Sequence, residues 1–321
     1  MIRARFRVVV ITVLSLCLLL GGMAVEAYPD KPIQVIVGFA AGGSTDIWAR
    51  SLSDAMQRFL GQPVTVLNIP GAGGAIGLSQ AFNERPDGYH LVTTGSYVVT
   101  NTLQEKVPFG LFDITHVAVV NIEPFVLVVH KNSPWNTVED FISSAKAKPG
   151  EYVFCNAGAG GLNHLAAEAF INATGVNVKS VPFDGGAGQV NALLGGHATV
   201  GFLSQAEAVP HMDGGDLKAL AVATDVRSPQ LKDVPTLKEA GIEGVPQGPW
   251  RGLGGPGKLP QDVIARLEEA VTAAVNDPAY IGISDKYGYM TSVKTGEEMK
   301  AFLEEDARII EKVLRDIGLL K

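Results

Sequence analysis

IQVIVGFAAGGSTDIWAR, residues 33–50, decides how this chain is read. Ile33, Val35, Ile36 and Val37 form an apolar, β-branched run that predicts a buried strand. Ala40-Ala41-Gly42-Gly43 then makes a turn open enough for a ligand to approach the backbone. Ser44 is placed to cap the next helix, whose apolar face reads Trp48, Leu52, Met56 and Phe59. A helix start offers free N–H groups and the positive end of a dipole, which suits an anion. The turn lacks Lys and Walker spacing, so a carboxylate fits it better than a triphosphate.

The first residues read as an export signal. Arg3, Arg5 and Arg7 precede an uncharged run, Val8–Leu20, too short to span a bilayer comfortably. Small residues follow, and cleavage is expected near Ala27, with export to a bacterial periplasm. Loss of residues 1–27 removes three Arg and one Glu from 26 basic and 33 acidic residues, leaving a net charge of about −9. An acidic chain without a basic stripe is a poor nucleic-acid binder, so any anion site must be local. Only Cys155 remains beyond Ala27, which excludes an intramolecular disulfide.

Helical and strand-like runs alternate, which predicts α/β layers with mostly parallel sheets. Strands are expected at 33–38, 64–69, 90–94, 117–121, 125–130, 152–155, 178–183, 198–203, 218–223 and 251–254. Helices are expected at 44–60, 75–84, 137–147, 161–173, 187–194, 205–213, 261–276 and 296–317. Gly and Pro cluster at Glu123-Pro124 and within 244–249. If both are crossings, one domain is 28–123 plus 248–321 and the other is 124–247, hinged about a cleft.

Four strand-to-helix junctions are glycine-rich: 42–43, 71–74, 158–161 and 185–188. In open α/β sheets such junctions lie where ligands bind, although each alone also reads as a tight turn. Asn156, Ala159, Gly160 and Gly161 fall at the third, opposite Gly42, Gly43, Ser44 and Thr45 in the other proposed domain. Two helix starts then grip one carboxylate from both sides. Asp46 either bonds its own loop's amides or meets a ligand donor, and Asp184 carries the same ambiguity. Ser96 reads as a hydroxyl donor or a turn cap. Arg251 reads as a bidentate partner for a second carboxylate or a surface ion pair, as do Arg50 and Arg227.

Signals for catalysis are thin. There is no G-x-S-x-G elbow and no HExxH, and the six His show no metal-ligand spacing. Gly71–Gly77 has one residue too many for a dinucleotide fingerprint. Cys155 with His164 as a dyad competes with the plainer reading of Cys155 as a small core residue. No catalytic residue, metal or cofactor is expected.

Motifs in one order over nearly the whole chain carry a resemblance. They include Tyr28-Pro29-Asp30-Lys31-Pro32-Ile33, Gly42-Gly43-Ser44-Thr45-Asp46, Asn68–Gly74, Asp87-Gly88-Tyr89, His164-Leu165-Ala166, Leu193–His197, Leu220–Ala223 and Val234–Leu237. The chain resembles the extracytoplasmic solute receptors of the tripartite tricarboxylate transporter family, also called Bug proteins. Pro182–Gly186 and Trp250-Arg251-Gly252 look closer to its tricarboxylate-receptor branch. The resemblance implies a type II periplasmic binding fold of two α/β domains, a cleft closing on a small carboxylate, and delivery to membrane permease subunits. It implies that 42–46 and 156–161 hold the carboxylate, partly through water. Ala41, Cys155-Asn156 and Gly160-Gly161 depart from the usual pattern, so ligand identity does not carry over. The receptor is expected to act as a monomer. A sensor presenting its closed form to a signalling partner, or an enzyme on this fold, are the alternative functions.

Overall fold

The computed structural model describes residues 28–158, 160–183 and 185–320. The export signal read over 1–27 lies outside them, as do the site candidates Ala159 and Asp184. Among the described residues, eleven strands form two sheets flanked by ten α-helices.

The first sheet holds β1 (Ile33–Val37), β2 (Val64–Asn68), β3 (His90–Gly95), β4 (Thr115–Ile122), β10 (Trp250–Gly255) and β11 (Met290–Lys294), in the order β11-β4-β10-β3-β1-β2. The second holds β5 (Phe125–His130), β6 (Val153–Asn156), β7 (Lys179–Pro182), β8 (Val200–Ser204) and β9 (Leu217–Val222), in the order β7-β6-β8-β5-β9. The expected mostly parallel sheets are in fact mixed. β1 is parallel to β2 and β3, and β6 to β7 and β8, while β10 and β5 run antiparallel to both neighbours and β11 to β4. The parallel pairs are those fed by helical crossovers; β5 and β10 enter their sheets from non-helical passages and are free to run the other way.

The helices are α1 (Ser44–Leu60), α2 (Ala75–Phe82), α3 (Ser96–Leu103), α4 (Val138–Ala147), α5 (Leu162–Thr174), α6 (Gly185–Leu194), α7 (Gln205–Asp213), α8 (Gln261–Ala274), α9 (Pro278–Tyr287) and α10 (Gly296–Asp316). α3, α9 and β11 were not expected from the sequence. In α1, Trp48, Leu52 and Met56 are buried as expected, but Phe59 is 40% exposed under the Arg266 guanidinium. The buried stripe continues at the fourth residue, with Leu60, because helical periodicity carries a 48–52–56 stripe there.

The chain passes between sheets twice, and the two passages touch. Glu123 N donates to Pro249 O and Phe125 N to Gln247 O, each at 2.9 Å. The C-terminal helix spans both sides. Leu303, Ile310 and Leu314 of α10 enter the core beneath β5, β6 and β8, while Phe302 packs edge-on against Trp250 of β10. Asp306 accepts the Trp250 indole N–H at 2.8 Å, and burial pushes its carboxyl up to about 6.

Candidate functional site

The β1–α1 and β6–α5 junctions share one backbone geometry. In each, a glycine with positive φ (Gly42, +81°; Gly160, +76°) is followed by an extended glycine that is the N-cap (Gly43, Gly161). L side chains disfavour the first of these conformations, so the tandem glycines are a requirement of the turn. Ser44 therefore stands at the first helical position rather than at the expected cap. With no side-chain cap on either helix, the leading N–H groups stay open toward the cleft.

Each loop is tied from four residues ahead. Gly42 N donates to Asp46 Oδ2 at 2.8 Å, and Gly160 N to His164 Nδ1 at 3.0 Å. Asp46 is 3% exposed and also receives Arg50 Nε at 3.1 Å and Asn68 Nδ2 at 2.9 Å. Burial alone would raise its pKa, but the bonds from Arg50, Gly42 and Asn68 outweigh that and hold it below the usual carboxylate range. His164 accepts at Nδ1, so its proton sits on Nε2, 3.4 Å from Glu168.

A cleft of about 640 Å³ lies between the sheets and is lined by both loops: Ser44 and Thr45 on one wall, Gly161 and Asn163 on the other. Arg251 enters from β10, next to a register irregularity against β4. Alternation along the strand sends Trp250 toward α10 and Arg251 into the cleft. Arg251 is 4% exposed; Nη2 donates to Glu123 Oε2 at 2.5 Å and to Ser44 Oγ at 2.9 Å, and the guanidinium lies over the Tyr289 ring. Nε and Nη1 are buried without a protein partner among the described residues. The guanidinium is thus charge-neutralised by Glu123 yet retains donors.

Of the sequence candidates, the structure brings Gly43, Ser44, Thr45, Ser96, Gly160, Gly161 and Arg251 to the cleft wall. Ser96 Oγ accepts Trp250 N at 3.1 Å and keeps its own proton to donate. Gly42 and Asp46 sit behind the wall and shape it. Asn156 is fully buried; it receives Gly158 N and donates to Ser180 Oγ, closing the second loop from within. Arg50 joins Asp46 and Asn68, and Arg227 pairs with Glu239 on the surface. Cys155 packs under Gly201, burial pushes its thiol up to about 11, and His164 is occupied with Gly160, so the two form no nucleophile–base pair.

Sequence reading did not single out Lys106, Glu123, Gln189 and Glu207, which also line the cleft. The Ser204-x-x-Glu207 capping box was a legible signal for one of them. No cluster of His, Cys, Asp and Glu suited to a metal occurs among the described residues.

The model of the tripartite tricarboxylate transporter family receptor matches residues 48–319. Protein BugT of Bordetella pertussis is 31% identical over 300 residues, 92% of each chain. A TctC solute-binding protein from Polaromonas superposes with a TM-score of 0.83 at 32% identity, over 90% of this chain and 99% of that one. Two Rhodopseudomonas palustris structures are also similar: MatC with bound malate (TM-score 0.71, 27% identity, 89% and 100% covered) and a protein with adipate (0.75, 28%, 91% and 98%). The two-sheet architecture is that of periplasmic binding proteins of this group, and the chain belongs to the tripartite tricarboxylate transporter receptor family, as a solute-binding protein.

Proposed function

We propose that the protein captures a small organic acid between the two glycine loops by hinge closure and delivers it to a tripartite-type membrane permease. The lobes are residues 28–123 with 248–321 and residues 124–247, turning about the paired passages at 123–125 and 247–249. The site of action is the periplasm, after cleavage near Ala27. The observation that carries this reading is the pair of uncapped helix starts, with matching geometry, on one cleft. Each charge-assisted bond to a carboxylate contributes about 1.5–3 kcal/mol. Several such bonds suffice for about micromolar affinity after ordering costs. Relatives holding malate and adipate support the ligand class.

Titration calorimetry on protein freed of copurified ligand by unfolding and refolding tests it. Saturable binding of at least one mono-, di- or tricarboxylate, recovered unchanged, is expected. Chemical turnover of the acid, or silence across the panel, contradicts the proposal.

A further inference from the structure

The two walls of the cleft differ in polarity. The wall built from the first sheet presents N–H donors, Ser96 and the spare donors of Arg251, with Lys106 exposed at its rim. The opposite wall, beyond its glycine loop, presents acceptors. Gln189 of α6 is fully buried, and its Nε2 donates to Cys155 O at 3.0 Å and Phe202 O at 3.2 Å. Two carbonyls on one side fix the amide orientation, so the oxygen is the atom turned away from them. That Oε1 is buried and has no partner among the described residues. An unmatched buried acceptor in a binding cleft asks for a donor from outside the protein.

Glu207 of α7 lines the same wall of the cleft. Its Oε2 receives Ser204 N at 3.2 Å and Ser204 Oγ at 2.9 Å, a donor pair that favours the ionised form. Its Oε1 lies in the space a Cβ would need at Gly186, so the glycine there leaves room for the carboxylate at the wall. Burial and the charge of Glu123 make Glu207 harder to ionise, which is the mark of an acid lacking a counter-charge. The Arg251 charge is spent on Glu123. No Lys, Arg or His occurs among the described residues lining this wall. A second carboxylate placed here would face like charge; an ammonium would supply both the missing counter-charge and the missing donor.

We infer that the ligand is an amino-carboxylate, its carboxylate on the glycine loops and its ammonium received by Gln189 Oε1 and Glu207. This rests on the carboxylate reading of the loops and narrows it.

The experiment is calorimetry of refolded protein with straight-chain acids of four, five and six carbons whose far end is methyl, carboxylate, carboxamide or ammonium. At one length the ammonium form is expected to bind at least tenfold tighter than its dicarboxylate and methyl counterparts. Glu207→Gln keeps the capping-box geometry and is expected to abolish most of that preference. A dicarboxylate or carboxamide that binds the native protein as tightly as the ammonium form overturns the inference and leaves the carboxylate reading standing. Silence of all four forms at every length overturns both.

Discussion

The two glycine loops are built alike and held differently. Both place a left-handed glycine, an extended glycine and an uncapped helix start at a strand end, and both clamp the first glycine from the fourth residue ahead. At the first loop the clamp is a buried carboxylate fixed by Arg50 and Asn68; at the second it is a neutral imidazole backed by Glu168. The negative clamp faces only backbone N–H and its own partners, so it tightens the loop without offering charge to the cleft. The same backbone turn can therefore be enforced by different side-chain chemistry, provided the clamp bonds the loop and leaves the helix start free.

Breaking the first loop's surroundings gives the largest effect. Arg251→Met leaves Glu123 buried without its partner and is expected to cost about 3–5 kcal/mol in denaturant unfolding. Affinity should fall similarly for mono- and dicarboxylates, because the guanidinium charge is already committed to Glu123. A loss confined to dicarboxylates would return Arg251 to the reading of a second carboxylate.

Asp46→Ala removes three bonds from a buried group and should cost about 2–3 kcal/mol, with at least tenfold weaker binding. The Asp46 pKa is lower folded than unfolded, so its contribution is present above the ordinary carboxylate range and is lost as pH falls through the depressed value. Denaturation from pH 7 to pH 3 should show the variant converging on the native protein; parallel curves would contradict this.

Asp306 carries the opposite sign. Its folded pKa, about 6, lies above the ordinary 3.8, so stability falls as pH rises between those values. Asp306→Asn keeps an acceptor for Trp250 and is expected to gain about 1–2 kcal/mol at pH 7 and nothing near pH 3. His164→Ala should be the mildest change, about 1 kcal/mol for one lost bond and a few-fold in affinity. An effect as large as that of Asp46→Ala would mean the two clamps are equivalent.

Much of this architecture was legible because local signals and tertiary demands agree. Tandem glycines after apolar runs located both loops. Where they disagree, the sequence misleads. Tyr97-Val98-Val99-Thr100 is aromatic and β-branched and carries no helical signal, yet α3 is helical, held where Asn101 bonds Gly73 O and Tyr97 packs edge-on against Phe39. Asp277-Pro278 was a readable start for α9, with Asp277 capping Ala279 N at 2.8 Å. The mixed sheets were not readable, because strand direction depends on passages that carry no helical period. Nor was the acceptor wall: Gln189 and Glu207 acquire meaning only when α6 and α7 meet over Gly186.

Both loops are proposed to hold one carboxylate together. Amide N–H resonances of Ser44, Thr45, Leu162 and Asn163, followed by NMR while a binding acid is titrated, test it directly. Both pairs are expected to shift on a single saturation curve with one dissociation constant. Movement of one pair alone, or two curves with different midpoints, would contradict it.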